Sequence, residues 1–232
     1  MSPEQEASVA RQAGVAGLLG MFLLIASLPM APPWPTAAAS AYEIGGYFVE
    51  NRTGFLWQAW TATAGVVLLV PLAVGIAELM RARGRALAAG TVVGAMLLFV
   101  GAFAVNWIPW IAIAFRPGSP DVVLALYHLG LLGQFVGVGM PLALLFGAIA
   151  LGNLDGAVLP RWIAGLALLE VPINVVLAGC TASSGLFAPS GPVGLGSIGL
   201  FTVFGVASSI ALLRRGRAAQ LAVASLDGAS VP

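Results

Sequence analysis

The side chain that most constrains the function of this chain is Glu170, because it lies in an apolar run over residues 159–179. An ionisable group near the centre of a bilayer is disfavoured by several kcal/mol unless it is neutralised or paired. Asn174 follows four residues later, a spacing that puts both side chains on one face of a helix. In that setting Glu170 could bind a ligand, carry a proton or act as an acid or base.

Further polar and aromatic residues occur on two other apolar segments. At a rise of about 1.5 Å per residue, His128 and Asn174 reach a similar depth in the outer half of a bilayer, with Glu170 one turn deeper. Asn106 lies in the same half, next to tryptophans that could wall a pocket. The sequence therefore predicts an outer-half polar pocket, with a ligand-binding set of Glu170, Asn174, His128, Asn106, Trp107 and Trp110.

Each of these residues also has a structural explanation. A protonated Glu170 needs only a hydrogen bond to a neighbouring helix. Asparagines commonly join membrane helices, and tryptophans are enriched at the membrane interface. His128 is explained by a structural hydrogen bond, because no second His, Cys or acidic cluster is spaced to share a metal with it. We favour a functional role for Glu170 and a structural one for His128.

Catalytic and cofactor chemistry has less support in the sequence. The single Cys180 cannot form an intrachain disulfide, and one His cannot supply paired haem ligands. All ten basic residues are Arg, so Schiff-base chemistry on a lysine is excluded. We predict no catalytic residue, no metal and no cofactor, and we favour a non-enzymatic protein.

Composition defines the class of protein. Of the 232 residues, 59% are hydrophobic and 8% are charged, whereas soluble domains carry about 25% charged residues. A bilayer-spanning helix needs roughly 20 apolar residues, so this length accommodates about six spans. A net charge of +1 argues against nucleic acid as a partner. The prediction is an all-α integral membrane bundle of six helices.

The apolar segments divide the chain into elements. A short amphipathic helix at the membrane interface is predicted within residues 37–52, after the segment Pro32-Pro33-Trp34-Pro35 that ends the first span. Residues 1–217 form one transmembrane domain, and residues 218–232 form a mobile cytoplasmic tail. The predicted spans are residues 12–30, 55–80, 87–115, 121–151, 160–180 and 193–213.

The arginines predict the orientation of these spans. With the N-terminus inside, only Arg52 and Arg116 lie outside, and the other eight arginines are cytoplasmic. Positively charged residues are enriched in cytoplasmic loops, so both termini are predicted to be cytoplasmic. The lipid bilayer is the expected environment, and the expected location is the inner (plasma) membrane.

Two short motifs resemble a known group of proteins. Residues 47–56, Tyr-Phe-Val-Glu-Asn-Arg-Thr-Gly-Phe-Leu, resemble the segment that leads into the second helix of uncharacterised six-helix membrane proteins of high-GC bacteria. Residues 159–162, Leu-Pro-Arg-Trp, are similar to the start of their fifth helix. These proteins form a domain-of-unknown-function family. The resemblance implies six helices in a bacterial inner membrane and transfers no catalytic residue.

Three functions are compatible with these observations. The favoured one is a non-enzymatic inner-membrane protein that binds a small apolar ligand, a lipid or a partner helix in the outer-half pocket. The second is a small proton-linked transporter in which Glu170 titrates, although no duplicated halves are visible in the sequence. The third is an intramembrane enzyme, which requires His128 and Glu170 within about 3.2 Å of each other or bridged by one water.

Overall fold

The computed structural model describes residues 1–179 and 192–228, and every regular element within them is helical. A 3₁₀ turn, Leu28–Met30, follows the first helix, and a π-helical turn, Gly133–Gly137, separates the fifth helix from the sixth. The α-helices are α1 (Pro3–Ser27), α2 (Ala41–Glu50), α3 (Arg52–Arg81), α4 (Ala86–Phe115), α5 (Pro120–Leu132), α6 (Val138–Leu151), α7 (Arg161–Ala178) and α8 (Pro192–Gly228).

Six helical segments of the described chain are long and apolar enough to cross a membrane. They are α1, α3, α4, α7, α8 and the segment Pro120–Leu151, in which α5, the π-helical turn and α6 are continuous. The prediction of an all-α chain with six helices long and apolar enough to span a membrane is therefore confirmed. The predicted end of the fifth span at Cys180 lies outside the described residues.

The helix ends differ from the predicted ones where capping side chains decide them. α1 begins at Pro3 rather than at residue 12, because Ser2 and Gln5 form a capping box. The Ser2 hydroxyl accepts from the Gln5 backbone N–H at 3.2 Å, and the Gln5 side chain accepts from the Ser2 N–H at 3.0 Å. These contacts satisfy backbone donors that the helix itself leaves free.

The predicted short helix is α2, which is narrower than residues 37–52. Ser40 and Glu43 cap its start, with the Ser40 N–H donating to the Glu43 carboxylate at 2.8 Å. One face buries Ile44 and Phe48 completely, whereas Tyr42 is 90% exposed. The amphipathic pattern is thus real, and the apolar face of α2 packs on α3, α4 and α5.

The C-terminal end of the chain differs from its prediction. Where the sequence predicts a mobile tail from residue 218, α8 continues as a helix to Gly228. Residues 218–225 are mostly Ala, Leu and Gln, which are strong helix formers, so the helix has no local reason to stop at Arg217.

The spans form a closed ring. Each span packs against its neighbours in the sequence, and α8 also packs against α1. The α1–α3 contact is very close, because a Cβ built on Gly20 would lie 2.8 Å from the Gly65 carbonyl oxygen, and one on Gly65 would lie 2.8 Å from the Gly20 oxygen. Small residues let membrane helices approach in this way. The side chains inside the ring pack closely in one part of the interior and leave a cavity in another.

Candidate ligand-binding cavity

One end of the ring is crossed by residues 31–37, which we call the strap. Three side chains hold its backbone. The Tyr47 hydroxyl donates to the Pro32 carbonyl at 2.6 Å, and the Tyr127 hydroxyl donates to the Pro35 carbonyl. The His128 Nε2 lies 3.3 Å from the Ala37 carbonyl oxygen. Because this proline-rich segment has few backbone donors of its own, its carbonyls are satisfied by α2 and α5.

Trp34 fixes the strap to the interior of the ring. Its ring lies 4.5 Å from that of Trp110 and 5.7 Å from that of Trp107, both in edge-to-face arrangements. Phe48 and Phe55 pack against it from α2 and α3. The Trp34 indole N–H donates to the Gln58 side-chain oxygen at 3.1 Å. These aromatic rings form a closely packed cluster under the strap, since each ring is in contact with several others.

Beneath the strap lies a cavity of about 820 Å³. Every span of the ring contributes to its wall, and Phe99, Phe103, Leu142 and Phe201 are representative of the apolar lining. The volume is within the roughly 300–1,000 Å³ typical of small-molecule sites. Among the described residues that line it, none is charged. The cavity is therefore suited to an uncharged, largely apolar molecule.

A few polar groups reach the cavity wall. Trp107 lines the cavity, and its buried indole N–H has no hydrogen-bond partner among the described residues. Gln134 lies in the π-helical turn, where its side-chain oxygen accepts from the Asn106 amide. Such turns are frequent at functional sites because they interrupt regular backbone pairing. These groups could orient a ligand that carries a hydrogen-bond acceptor.

The predicted pair on the fifth span is present, but behind the wall. Glu170 and Asn174 are fully buried, and the Asn174 amide donates to the Glu170 carboxyl at 2.8 Å. The Asn174 oxygen accepts from the Ser197 hydroxyl at 3.4 Å, and Ser197 lines the cavity. The second carboxyl oxygen of Glu170 has no partner among the described residues. Glu170 therefore does not line the cavity; it contacts Asn174, which in turn contacts the lining residue Ser197.

The four polar residues predicted to share one pocket make separate contacts in the described part of the chain. Asn106 pairs with Gln134 and Glu170 pairs with Asn174, and no hydrogen bond among the described residues joins the two pairs. Asn106 on α4 faces the π-helical turn, whereas the Asn174 side chain on α7 faces Ser197 on α8. Equal depth therefore does not bring these residues together. Of the predicted set, Trp107 and Trp110 line the cavity.

His128 lies away from both pairs. Its side chain is exposed and contacts the strap, whereas Glu170 is fully buried against Asn174. No hydrogen bond joins His128 to Glu170 in the described part of the chain. The contact with the Ala37 carbonyl oxygen is consistent with the predicted structural role of His128.

Four contributors to the site were missed from the sequence: Trp34, Tyr127, Gln134 and Ser197. For Trp34 a signal existed, because a tryptophan between prolines in a loop has little reason to be there unless it packs. Tyr127, Gln134 and Ser197 carry no such signal, since single polar residues in an apolar span do not show which neighbour they face.

The opposite end of the ring holds an arginine cluster, made of Arg83, Arg85 and Arg215 with Glu6 and Asp155. The Glu6 carboxylate accepts from Arg215 at 2.6 Å and lies 3.5 Å from the Arg83 guanidinium. Arg215 also donates to the carbonyls of Ala157 at 2.7 Å and Val158 at 2.9 Å. One guanidinium therefore joins α1, α8 and the loop between α6 and α7.

Asp155 forms the second contact of this cluster. Arg85 donates to its carboxylate and to the Gly152 carbonyl, which joins the turn after α3 to the loop before α7. The hydrogen bond from Arg85, aided by one from the Ala157 backbone, lowers the pKa of Asp155 to about 2. Between this end and the cavity, apolar side chains that include Ile76, Phe146 and Ile149 leave a void of only about 30 Å³.

The described residues contain no group of three or more His, Cys, Asp or Glu side chains that could hold a metal ion. Comparison with known protein families, with curated proteins and with solved structures finds no match for this chain.

Proposed function

We propose that this chain is a bacterial inner-membrane protein that binds a small apolar ligand in the cavity beneath the strap, without converting it chemically. The observation that carries the proposal is a cavity of about 820 Å³ with no charged side chain among its described lining residues. Burial of each ligand methylene there contributes about 0.8 kcal/mol. Solute ions and charged metabolites would lose their hydration in such a site without compensation.

The proposed orientation puts the arginine cluster in the cytoplasm and the strap outside. It is supported by the sequence bias, since residues 81–85, the start of α7 and residues 214–217 carry seven of the ten arginines. Under this orientation α2 lies at the outer interface with Tyr42 toward the headgroups. The resemblance of residues 47–56 and 159–162 to membrane proteins of high-GC bacteria supports the bacterial origin.

Binding can be measured through the tryptophans of the cluster. Trp57, Trp60 and Trp162 are exposed on the outside of the ring, so their replacement by Phe leaves Trp34, Trp107 and Trp110 as reporters. In detergent solution, bromododecane that enters the cavity should quench these reporters with a saturable dose dependence.

A matched pair of substitutions tests the location. Val66 lines the cavity, whereas its neighbour Val67 is 48% exposed on the outer surface. Val66→Phe displaces about two methylenes of ligand and should weaken binding about ten-fold, while Val67→Phe should leave it unchanged. Non-saturable quenching, or equal effects of the two substitutions in folded protein, would refute the proposal.

A further inference from the structure

The cavity has an apolar rim on the outside of the ring. About half of the described lining residues are buried, whereas Ile25 and Leu28 at the end of the first span are 46% and 58% exposed, and Ile198 on α8 is 53% exposed. These three side chains both line the cavity and contact the surroundings. They mark an opening between the strap-end halves of α1 and α8.

The packing of α1 against α8 explains why the opening occurs there. Toward the arginine end the two helices touch closely, because a Cβ on Gly17 would lie 2.2 Å from the Ser209 hydroxyl oxygen. One on Gly205 would lie 2.5 Å from the Met21 sulfur. Toward the strap end, Ile198 lies on the same face of α8 as Gly205, two turns earlier, and it is 53% exposed. The face of α8 that touches α1 at Gly205 is therefore left uncovered at Ile198.

The surroundings of this opening identify what can enter it. Ile25, Leu28 and Ile198 all belong to helical segments apolar enough to cross a membrane. The opening therefore faces the hydrocarbon of the bilayer, and the strap with its tryptophan lies above it. An acyl chain can move from one apolar medium to the other without desolvating a polar group, and its headgroup can remain at the interface.

We propose that an acyl chain of a phospholipid in the strap-side leaflet enters the cavity laterally, between α1 and α8. This inference rests on the proposed function and specifies both the ligand and its route. The lipid chain occupies the charge-free space under the strap.

The test uses the full chain with the three reporter tryptophans, reconstituted in phosphatidylethanolamine and phosphatidylglycerol vesicles. The vesicles contain phosphatidylcholine brominated in the middle of one acyl chain. A rim variant, Ile25→Phe with Ile198→Phe, narrows the opening. Its control, Leu19→Phe with Val203→Phe, adds the same rings at positions on the same helices that are about half exposed and do not line the cavity.

We expect brominated lipid to quench the parent and the control equally, and to quench the rim variant at least about two-fold less, because close-packed rings exclude the chain. Equal quenching of the folded rim variant and the control overturns the lateral route. Saturable quenching by bromododecane without quenching by brominated lipid refutes the lipid ligand and leaves the proposed function intact. Absence of both kinds of quenching refutes both proposals.

Discussion

Asn174 is the residue on which Glu170 depends. Its amide donates to the buried carboxyl and to the backbone carbonyl of the same residue, and its oxygen accepts from Ser197. Because no other described group pairs with the carboxyl, loss of this amide strands a polar group in an apolar interior. That cost exceeds the value of an average hydrogen bond between membrane helices, about 0.6 kcal/mol.

Asn174→Leu should therefore lower the free energy of unfolding by about 1–3 kcal/mol, the penalty for an unsatisfied buried polar group. The double variant Glu170→Met with Asn174→Leu should recover part of this loss, because both partners become apolar. Unfolding in mixed micelles measures both effects. Thr91→Val is the control, since Thr91 bonds only its own helix at Leu87, and a double variant no more stable than the single one would contradict the argument.

The sequence predicts the Glu170–Asn174 contact but not the Asn106–Gln134 contact, and the difference is geometric. A spacing of four residues brings two side chains together on any helix, whatever its neighbours. Two residues on different helices meet only if both face the same interface, and apolar sequence all around a span leaves that direction open. The π-helical turn adds a rotation at Gln134 that no residue type announces.

At the level of the helices, close backbone contact defines how α1 sits in the ring. Gly20 and Gly65 face each other across α1 and α3, with no room for a side chain on either. The neighbouring Leu24 and Leu69 close over the contact from both sides. This part of the ring has little freedom to relax around an added methyl group.

Gly65→Ala should destabilise the protein by about 1–3 kcal/mol, because the added Cβ meets backbone atoms that cannot move aside. Gly101→Ala is the matched control, since a Cβ there meets nothing within 4 Å. Thermal unfolding in detergent measures the difference. Equal stability of the two variants would show that α1 and α3 can separate at no cost.

Helix number was predictable because membrane thickness sets the length of an apolar run. The ends of the helices were less predictable than their number, as α1 and α8 show. The early start of α1 depends on a capping box at Ser2, and the late end of α8 depends on helix-forming residues after Arg217. The apolar run therefore misses the polar first turns of α1, and in α8 it is interrupted by the arginines at residues 214–217.

At the level of the whole molecule, the two ends of the ring are held by different forces. Aromatic packing holds the strap end, whereas ion pairs and charged hydrogen bonds hold the other. Arg85 joins Asp155 across two loops that are far apart in sequence. The pKa of Asp155 is lowered from 3.8 to about 2, chiefly by that hydrogen bond, so folding favours the charged form.

The contribution of Asp155 to stability should therefore be fully present above about pH 4 and be lost as the pH falls toward about 2. Asp155→Asn should be less stable than the parent at neutral pH, and the two melting temperatures should converge in acid. Glu78→Gln is the control, because the Glu78–Arg81 pair lies within one exposed helical turn and joins no other element. A difference that persists unchanged at about pH 2 would contradict this account.

Arginine placement in the sequence indicates which ends share a side, but it does not show that they touch. Glu6 and Arg215 are separated by almost the whole chain, and their pairing depends on α1 and α8 closing the ring. Nothing in the sequence of either helix indicates that closure. The cavity follows from the same closure, so it too was beyond prediction from the spans alone.

The packed layer around Ile76 and Phe146 separates the space under the strap from the arginine end. In this conformation, we expect a lipid chain that enters between α1 and α8 to leave through the same opening. Under the proposed lateral route, the bound lipid chain exchanges with the strap-side leaflet. For a site of this kind, the residence time of the lipid in the cavity determines which lipid is bound.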